Sequence, residues 1–151
     1  MRNVKELVMT PFTLKTHRCI AAIILALVCL AITPSTAVAG PDVATTARCA
    51  KACRECAKAC DACYKHCSAM VKAGNKEHAK SARISEDCGL ICVVTAKICE
   101  HNGPMSAAIC EACLKACTAC GTECGKSPGM AEMAACTVAC EKCAAACKTV
   151  K

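Results

Sequence analysis

Eighteen cysteines between Cys49 and Cys147 fall into runs with a narrow set of spacings. The stretch CAKACRECAKACDACYKHC holds Cys49, Cys53, Cys56, Cys60, Cys63 and Cys67, at steps of four, three, four, three and four. A second run is Cys110, Cys113, Cys117, Cys120 and Cys124, and a third is Cys136, Cys140, Cys143 and Cys147. Cys88, Cys92 and Cys99 form a sparser set with Thr95 in the missing place. Three chemistries are open to such residues. Buried free cysteine acts as a small hydrophobe, paired thiols form disulfides, and thiolates bind the soft metals Cu(I), zinc or iron–sulfur clusters.

The alternation of three and four places each run on one face of an α-helix. Its mean period of 3.5 is the seam of a helical bundle. The opposite face of the first helix carries Lys51, Arg54, Glu55, Lys58, Asp61 and Lys65, so water lies outside and cysteine inside. Helix one is expected from about Val43 to Ala73, capped by Asp42 or Thr45 and ended at Gly74. Helix two is expected from Asn75 or Lys76, or from as late as Ser85, to about His101. Asn102-Gly103-Pro104 reads as a turn with Pro104 in the first turn of helix three, which runs to about Cys124. Ser127 is expected to cap helix four, with Pro128 at its first position and its end near Lys148. Short linkers make sequential helices antiparallel. The fold class is therefore all-α, an antiparallel up-down four-helix bundle with a cysteine-lined core.

The N-terminal part reads differently. Cys19–Ile32 is fourteen apolar residues without a charge, preceded by Arg2, Lys5, Lys15 and Arg18 and followed by Ala37-Val38-Ala39. That is the pattern of a secretory signal, and it is too short to cross a bilayer comfortably. The expectation is a cleaved signal at residues 1–39 and a bundle at residues 40–151, exported to the periplasm or another extracytoplasmic space, with no stable membrane insertion after cleavage. The processed chain keeps eighteen of the twenty cysteines, with fifteen Lys and Arg against eleven Asp and Glu. Its only aromatic is Tyr64, and no basic block is present. Without aromatics to stack bases and without a basic stripe, nucleic acid is not expected as a partner.

Among the three chemistries, packing alone is the weakest. Beyond residue 39 the chain has only Leu90 and Leu114 as leucines and neither Phe nor Trp. Cysteine in place of leucine along whole seams forfeits apolar burial, several kcal/mol at about 25 cal/mol per Å². A disulfide-bonded structural secreted protein is compatible with export. Nine bridges from the interior of regular helices are geometrically demanding, however, because side chains at i and i+4 lean the same way. Zinc sites gather four local ligands on separated knuckles, and no quartet is set apart here. Ferredoxin spacing is absent. A Cys-x3-Cys-x2-Cys at Cys49, Cys53 and Cys56 also matches the cluster loop of radical S-adenosylmethionine enzymes, but it sits inside a repeating helix. A continuous tube of thiols suits Cu(I), which accepts few ligands and shares them, to on the order of ten to eighteen ions per chain. One monovalent ion per thiolate also leaves the core near neutral. Cu(I) is favoured, with a general zinc, cadmium or mercury detoxification protein and the disulfide scaffold as alternatives.

The repeated Cys-x2-Cys and Cys-x3-Cys of helices one, three and four, with CGLIC at Cys88–Cys92, closely resemble the bacterial copper storage proteins over Val43–Lys148. The resemblance implies a four-helix bundle holding many Cu(I) ions along its inside. It also implies, for exported members, assembly into tetramers. Cytosolic members often carry histidines ahead of the first cysteine of helix four; here that place reads GMAEMAAC, with Met130 and Met133. Up-down topology gathers Met70, His78, Met130 and Met133 at one mouth, in seam phase, where thioether and imidazole suit a transfer step for an ion passing in or out; the alternative is that the methionines plug that end of the bundle as hydrophobes. His66 is out of phase and reads as surface. A copper donor or acceptor protein is the expected partner. No catalytic constellation is found, so an enzyme is not expected.

Overall fold

The computed structural model describes residues 40–151. The apolar stretch and cleavage site read from the sequence lie outside them. Four helices follow in order: α1 Val43–Lys72, α2 Ala79–Glu100, α3 Ser106–Cys124 and α4 Ala131–Cys147. A single 3-10 turn, Lys76–His78, precedes α2. Helix α1 packs on α2 and α4, and α3 packs on α2 and α4, which leaves α1–α3 and α2–α4 as the diagonals of a square bundle. No helix among the described residues is long and apolar enough to cross a membrane.

Local chemistry sets the ends. Asp42 caps α1: the Thr45 amide and hydroxyl both donate to its Oδ2, at 3.0 and 2.9 Å. Those bonds hold the Asp42 carboxyl below its usual range, the Thr45 hydroxyl foremost. Gly74 takes φ 100° after α1, and the Asn75 amide reaches back to the Met70 carbonyl at 3.0 Å. This is the Schellman closure that a residue without Cβ permits. Helix α2 ends in the same way on Asn102, with φ 45°; the Gly103 amide donates to the Ile98 carbonyl at 3.1 Å. The Thr46 hydroxyl then donates to Asn102 Oδ1 at 3.2 Å and ties that corner to α1.

Two expected starts move. Helix α3 begins at Ser106, so Pro104 belongs to the turn before it rather than to its first turn. Helix α4 begins at Ala131 with Met130 at its cap position and no side-chain cap. Ser127 is not its cap; its carbonyl accepts from the Met130 amide at 3.1 Å, which makes Ser127–Met130 a turn. Proline suits the second place of a turn as well as the first place of a helix, and Gly129 disfavours helix immediately after it.

The core is cysteine. All eighteen are buried and unpaired, joined by Ala50, Ala82, Ala96, Met133 and Val150. The scarce larger aliphatics lie elsewhere: Leu90 is 63% exposed and Leu114 only half-buried. The glycine after Cys120 lets α3 and α4 approach closely, whereas the one after Cys88 leaves room for a Cβ between α1 and α2. A Cβ at Gly89 would stand 3.4 Å from Cys60 Cβ, and one at Gly121 3.3 Å from Cys140 Cβ. Outside, Lys80 and Lys126 meet Glu123 at 3.0 and 2.7 Å, and Arg54 pairs with Glu100 across α1 and α2.

Candidate metal centre

Each cysteine run keeps the face its spacing predicts, and the four faces converge. The test is the diagonal: α1 and α3 are not neighbours, yet their sulfurs touch. Sγ separations are 3.4 Å for Cys49–Cys110, 3.9 Å for Cys53–Cys113 and for Cys56–Cys117, and 3.6 Å for Cys63–Cys124. Across the other diagonal Cys92 and Cys143 stand 4.0 Å apart. Only side chains as short as cysteine bring four helices close enough for sulfurs to meet on the axis.

The sulfurs form overlapping groups along that axis. Cys49, Cys110 and Cys147 close one end. Next come Cys53, Cys113, Cys143 and Cys147; then Cys56, Cys92, Cys117 and Cys143; then Cys56, Cys88, Cys117 and Cys140; then Cys60, Cys120, Cys136 and Cys140. Within each group all sulfurs lie within 4.8 Å of one another. Cys99 joins the first level at 3.4 Å from Cys110, and Cys63 and Cys67, 4.0 Å apart, extend the column at the opposite end. Three thiolates holding one ion at metal–sulfur bonds of about 2.3 Å need sulfurs about 4 Å apart. The sulfurs stand at that separation. Shared members such as Cys56 and Cys117 make the groups a chain rather than isolated sites.

Thiols so placed cannot all ionise. Burial, foremost, pushes Cys67 and Cys99 up. Deeper in, Cys56 is pulled down by the thiols of Cys117 and then Cys140, while Cys92 is pushed up, first by Cys113 and then by Cys117. A thiolate is stabilised by neighbouring S–H donors, and each one formed opposes the next. Only a fraction of such thiols can be ionised together without a cation. Each bound monovalent cation replaces one proton.

The four residues expected at the mouth lie at one end of the bundle, with differing burial. Met133 is fully buried and His78 is 7% exposed; Met70 and Met130 are half-buried, Met130 against the core. His66, expected on the surface, is partly exposed, its side chain keeping 29% of its area; its Nδ1 stands 3.4 Å from Glu132 Oε2, and its Nε2 is buried without a partner. Its seam phase gives no warning of the buried Nε2, because Glu132 of α4 rather than the core stands beside it. Its place just before Cys67 and four residues before Met70 was the available signal. Ser85 is the other residue that spacing alone undervalues. It is fully buried, with its hydroxyl donating to Cys63 Sγ at 3.3 Å. At the far end Val150 is buried and Ser106 Oγ is buried without a partner.

Comparison with known proteins bears on this column. The sequence model of the copper storage protein family matches residues 42–151. A structure of the Streptomyces lividans copper storage protein loaded with 10 copper equivalents is 31% identical, with a TM-score of 0.65, covering 79% of this chain and 92% of that one. A second structure, of copper loading to a cytosolic copper storage protein from the same organism with five coppers, is 32% identical, with a TM-score of 0.62 and coverage of 70% and 91%. The Cu(I)-bound copper storage protein BsCsp3 is 34% identical, with a TM-score of 0.60 and coverage of 68% and 93%. No curated protein matches the chain. The expectation of export to the periplasm is overturned, because the similar Streptomyces lividans protein is described as cytosolic. That expectation rested on Cys19–Ile32, outside the described residues, and on nothing in the bundle.

Proposed function

The chain belongs to the copper storage protein family, and on that premise we propose that its eighteen core cysteines are the ligands with which it stores many Cu(I) ions. Storage of Cu(I) by thiolates inside a four-helix bundle is the function, and the family is one of storage rather than catalysis. The observation that supports the ligand set is convergence: sulfurs of diagonal helices meet at 3.4 to 4.0 Å with no disulfide among the described residues. The ligands are Cys49, Cys53, Cys56, Cys60, Cys63 and Cys67 of α1 and Cys88, Cys92 and Cys99 of α2. Helix α3 adds Cys110, Cys113, Cys117, Cys120 and Cys124, and α4 adds Cys136, Cys140, Cys143 and Cys147.

Loading needs little rearrangement. Protonated thiols make a neutral core that packs without metal, and each incoming ion exchanges for a proton at sulfurs already about 4 Å apart. Cu(I) crosses the mouth by way of Met70, His78, Met130 and Met133, whose thioether and imidazole groups hold a soft ion more weakly than thiolate and so release it inward. The burial of Met133 and His78 at this end of the bundle supports this route. The same end suits hand-over to a copper donor or acceptor protein. Self-association into a homo-oligomer is supported by exposed Leu90, Val93 and Val94 on one helix, and sedimentation of the purified chain tests it.

The deciding experiment is a free-thiol count on anaerobically purified protein, followed by Cu(I) titration against a competing chelator. Near eighteen reactive thiols and uptake on the order of ten or more ions per chain support the ligand set. Few thiols, or uptake of only one or two ions, refute it.

A further inference from the structure

Toward the Met133 end of the column, the seam of α2 supplies Cys99, Cys92, Cys88 and then Ser85. At that level three sulfurs surround a hydroxyl. Ser85 Oγ donates to Cys63 Sγ at 3.3 Å and stands 3.7 Å from Cys124 Sγ and 3.8 Å from Cys120 Sγ. Thr95 is the other hydroxyl residue fully buried on this seam, and it behaves differently. Its hydroxyl donates to the Ile91 carbonyl of its own helix at 2.8 Å. One interruption of the thiol line offers a proton to sulfur, and the other is occupied by its own backbone.

The difference matters where the column ends. An interior thiolate lies between two ions and divides its charge between them. A thiolate at the last level has an ion on one side only and keeps residual negative charge. In a buried site that charge is costly unless a donor meets it. A hydroxyl oxygen is a hard, poor ligand for a soft cation, whereas its proton makes a strong bond to an anionic acceptor.

We propose that Ser85 is a positioning residue near the Met133 end of the thiolate column, its hydroxyl donating to Cys63 Sγ and so setting how readily the copper held at that end leaves. This rests on the reading of the core cysteines as ligands. Ser85 does not bind the ion; it stabilises Cys63 as a thiolate. A residue without a donor loosens the outermost ion, and a fourth thiol in its place tightens it. Retention of that ion therefore runs Cys, then Ser, then Ala at this position, while ions deeper in the column are indifferent to the change.

The test uses the full chain and its Ser85→Ala, Ser85→Thr and Ser85→Cys variants, each filled anaerobically with Cu(I) and then stripped by excess Cu(I) chelator. Capacity, the phases of release and thermal unfolding of the empty protein are measured together. In Ser85→Ala the earliest phase is expected to run about tenfold faster, the factor carried by one charge-assisted hydrogen bond, with capacity and later phases unchanged. Ser85→Thr restores the wild-type phase. Ser85→Cys slows it and adds about one ion. An early phase identical in Ser85→Ala and wild type overturns the proposal, and so does uniform acceleration of every phase, which marks a packing role only. A wild-type chain that takes up few ions overturns the ligand reading beneath the proposal, a result distinct from either of these.

Discussion

Removing one sulfur should cost more copper in the middle of the column than at its end, while costing the empty fold about the same. Cys117 and Cys67 make the comparison. Cys117 Sγ has four sulfur neighbours: Cys56 at 3.9 Å, Cys88 at 3.8 Å, Cys92 at 3.7 Å and Cys113 at 3.9 Å. It also belongs to two of the four-sulfur groups. Cys67 Sγ has one sulfur neighbour, Cys63 at 4.0 Å. Both side chains are buried. Cys→Ala deletes a single heavy atom, comparable to one methylene at about 0.8 kcal/mol. A cavity term brings the cost to roughly 1 to 1.5 kcal/mol at either position. For a domain of this size that lowers Tm by roughly 4 to 8 °C per kcal/mol. Capacity separates the two variants: Cys117→Ala is expected to lose about two ions and Cys67→Ala about one or none, because a sulfur shared by two groups bridges more ions. Cu(I) titration against a chelator, with scanning calorimetry on the empty protein, reads both quantities. Equal losses of copper from the two variants, or none from Cys117→Ala, refute a shared thiolate column.

Replacing both Met130 and Met133 with leucine is expected to slow Cu(I) uptake and removal in stopped-flow chelator exchange and to leave capacity nearly unchanged; unaltered rates remove these methionines from the route. The empty bundle should weaken in alkali. Burial raises Cys67 and Cys99 above their ordinary value of 9.0, so their contribution is complete below that value and is lost as pH rises through the folded-state pKa. Tm of the empty protein should therefore hold to about pH 9 and then fall, whereas the copper-filled protein, with those protons already displaced, should not follow it. The two close glycines should respond with opposite sign to alanine. At Gly89 the new Cβ meets Cys60 Cβ at an ordinary 3.4 Å, and the gain in helix propensity stabilises by up to about 1 kcal/mol. At Gly121 the 3.3 Å approach to Cys140 Cβ forces α3 and α4 apart, for a net loss of about 1 kcal/mol. Chemical denaturation of both variants distinguishes them.

The bundle and its sulfur seam were legible because the steps of three and four admit one helical face, and every cysteine run obeys them. Caps with a single mechanism were legible too: Asp42 before Val43 and Gly74 after α1 do what their chemistry permits. The start of α4 was not, because Ser127-Pro128 serves a turn and a helix N-terminus equally well, and only tertiary packing chooses between them. Periodicity assigns residues to the axis of the bundle and is blind to its flanks. His66 lies off the seam, yet its Nε2 is buried where α4 crosses. Leu90 is apolar, yet it faces outward because the seam of α2 is already set by Cys88, Cys92 and Cys99. Nor does spacing tell the two interrupting hydroxyls apart: Thr95 returns its proton to its own helix, while Ser85 gives its proton to sulfur. That distinction depends on rotamer and neighbour, which a one-dimensional pattern does not contain. The compartment was misread because the N-terminal stretch was the sole guide to it.

Anomalous diffraction at the copper edge from crystals filled with Cu(I) tests the central claim most directly. A row of copper sites along the bundle axis is predicted, each within about 2.3 Å of two or three cysteine sulfurs, with the four helices superimposable on those of the empty protein. Copper confined to the surface, or helices displaced to accommodate a few isolated sites, would contradict it.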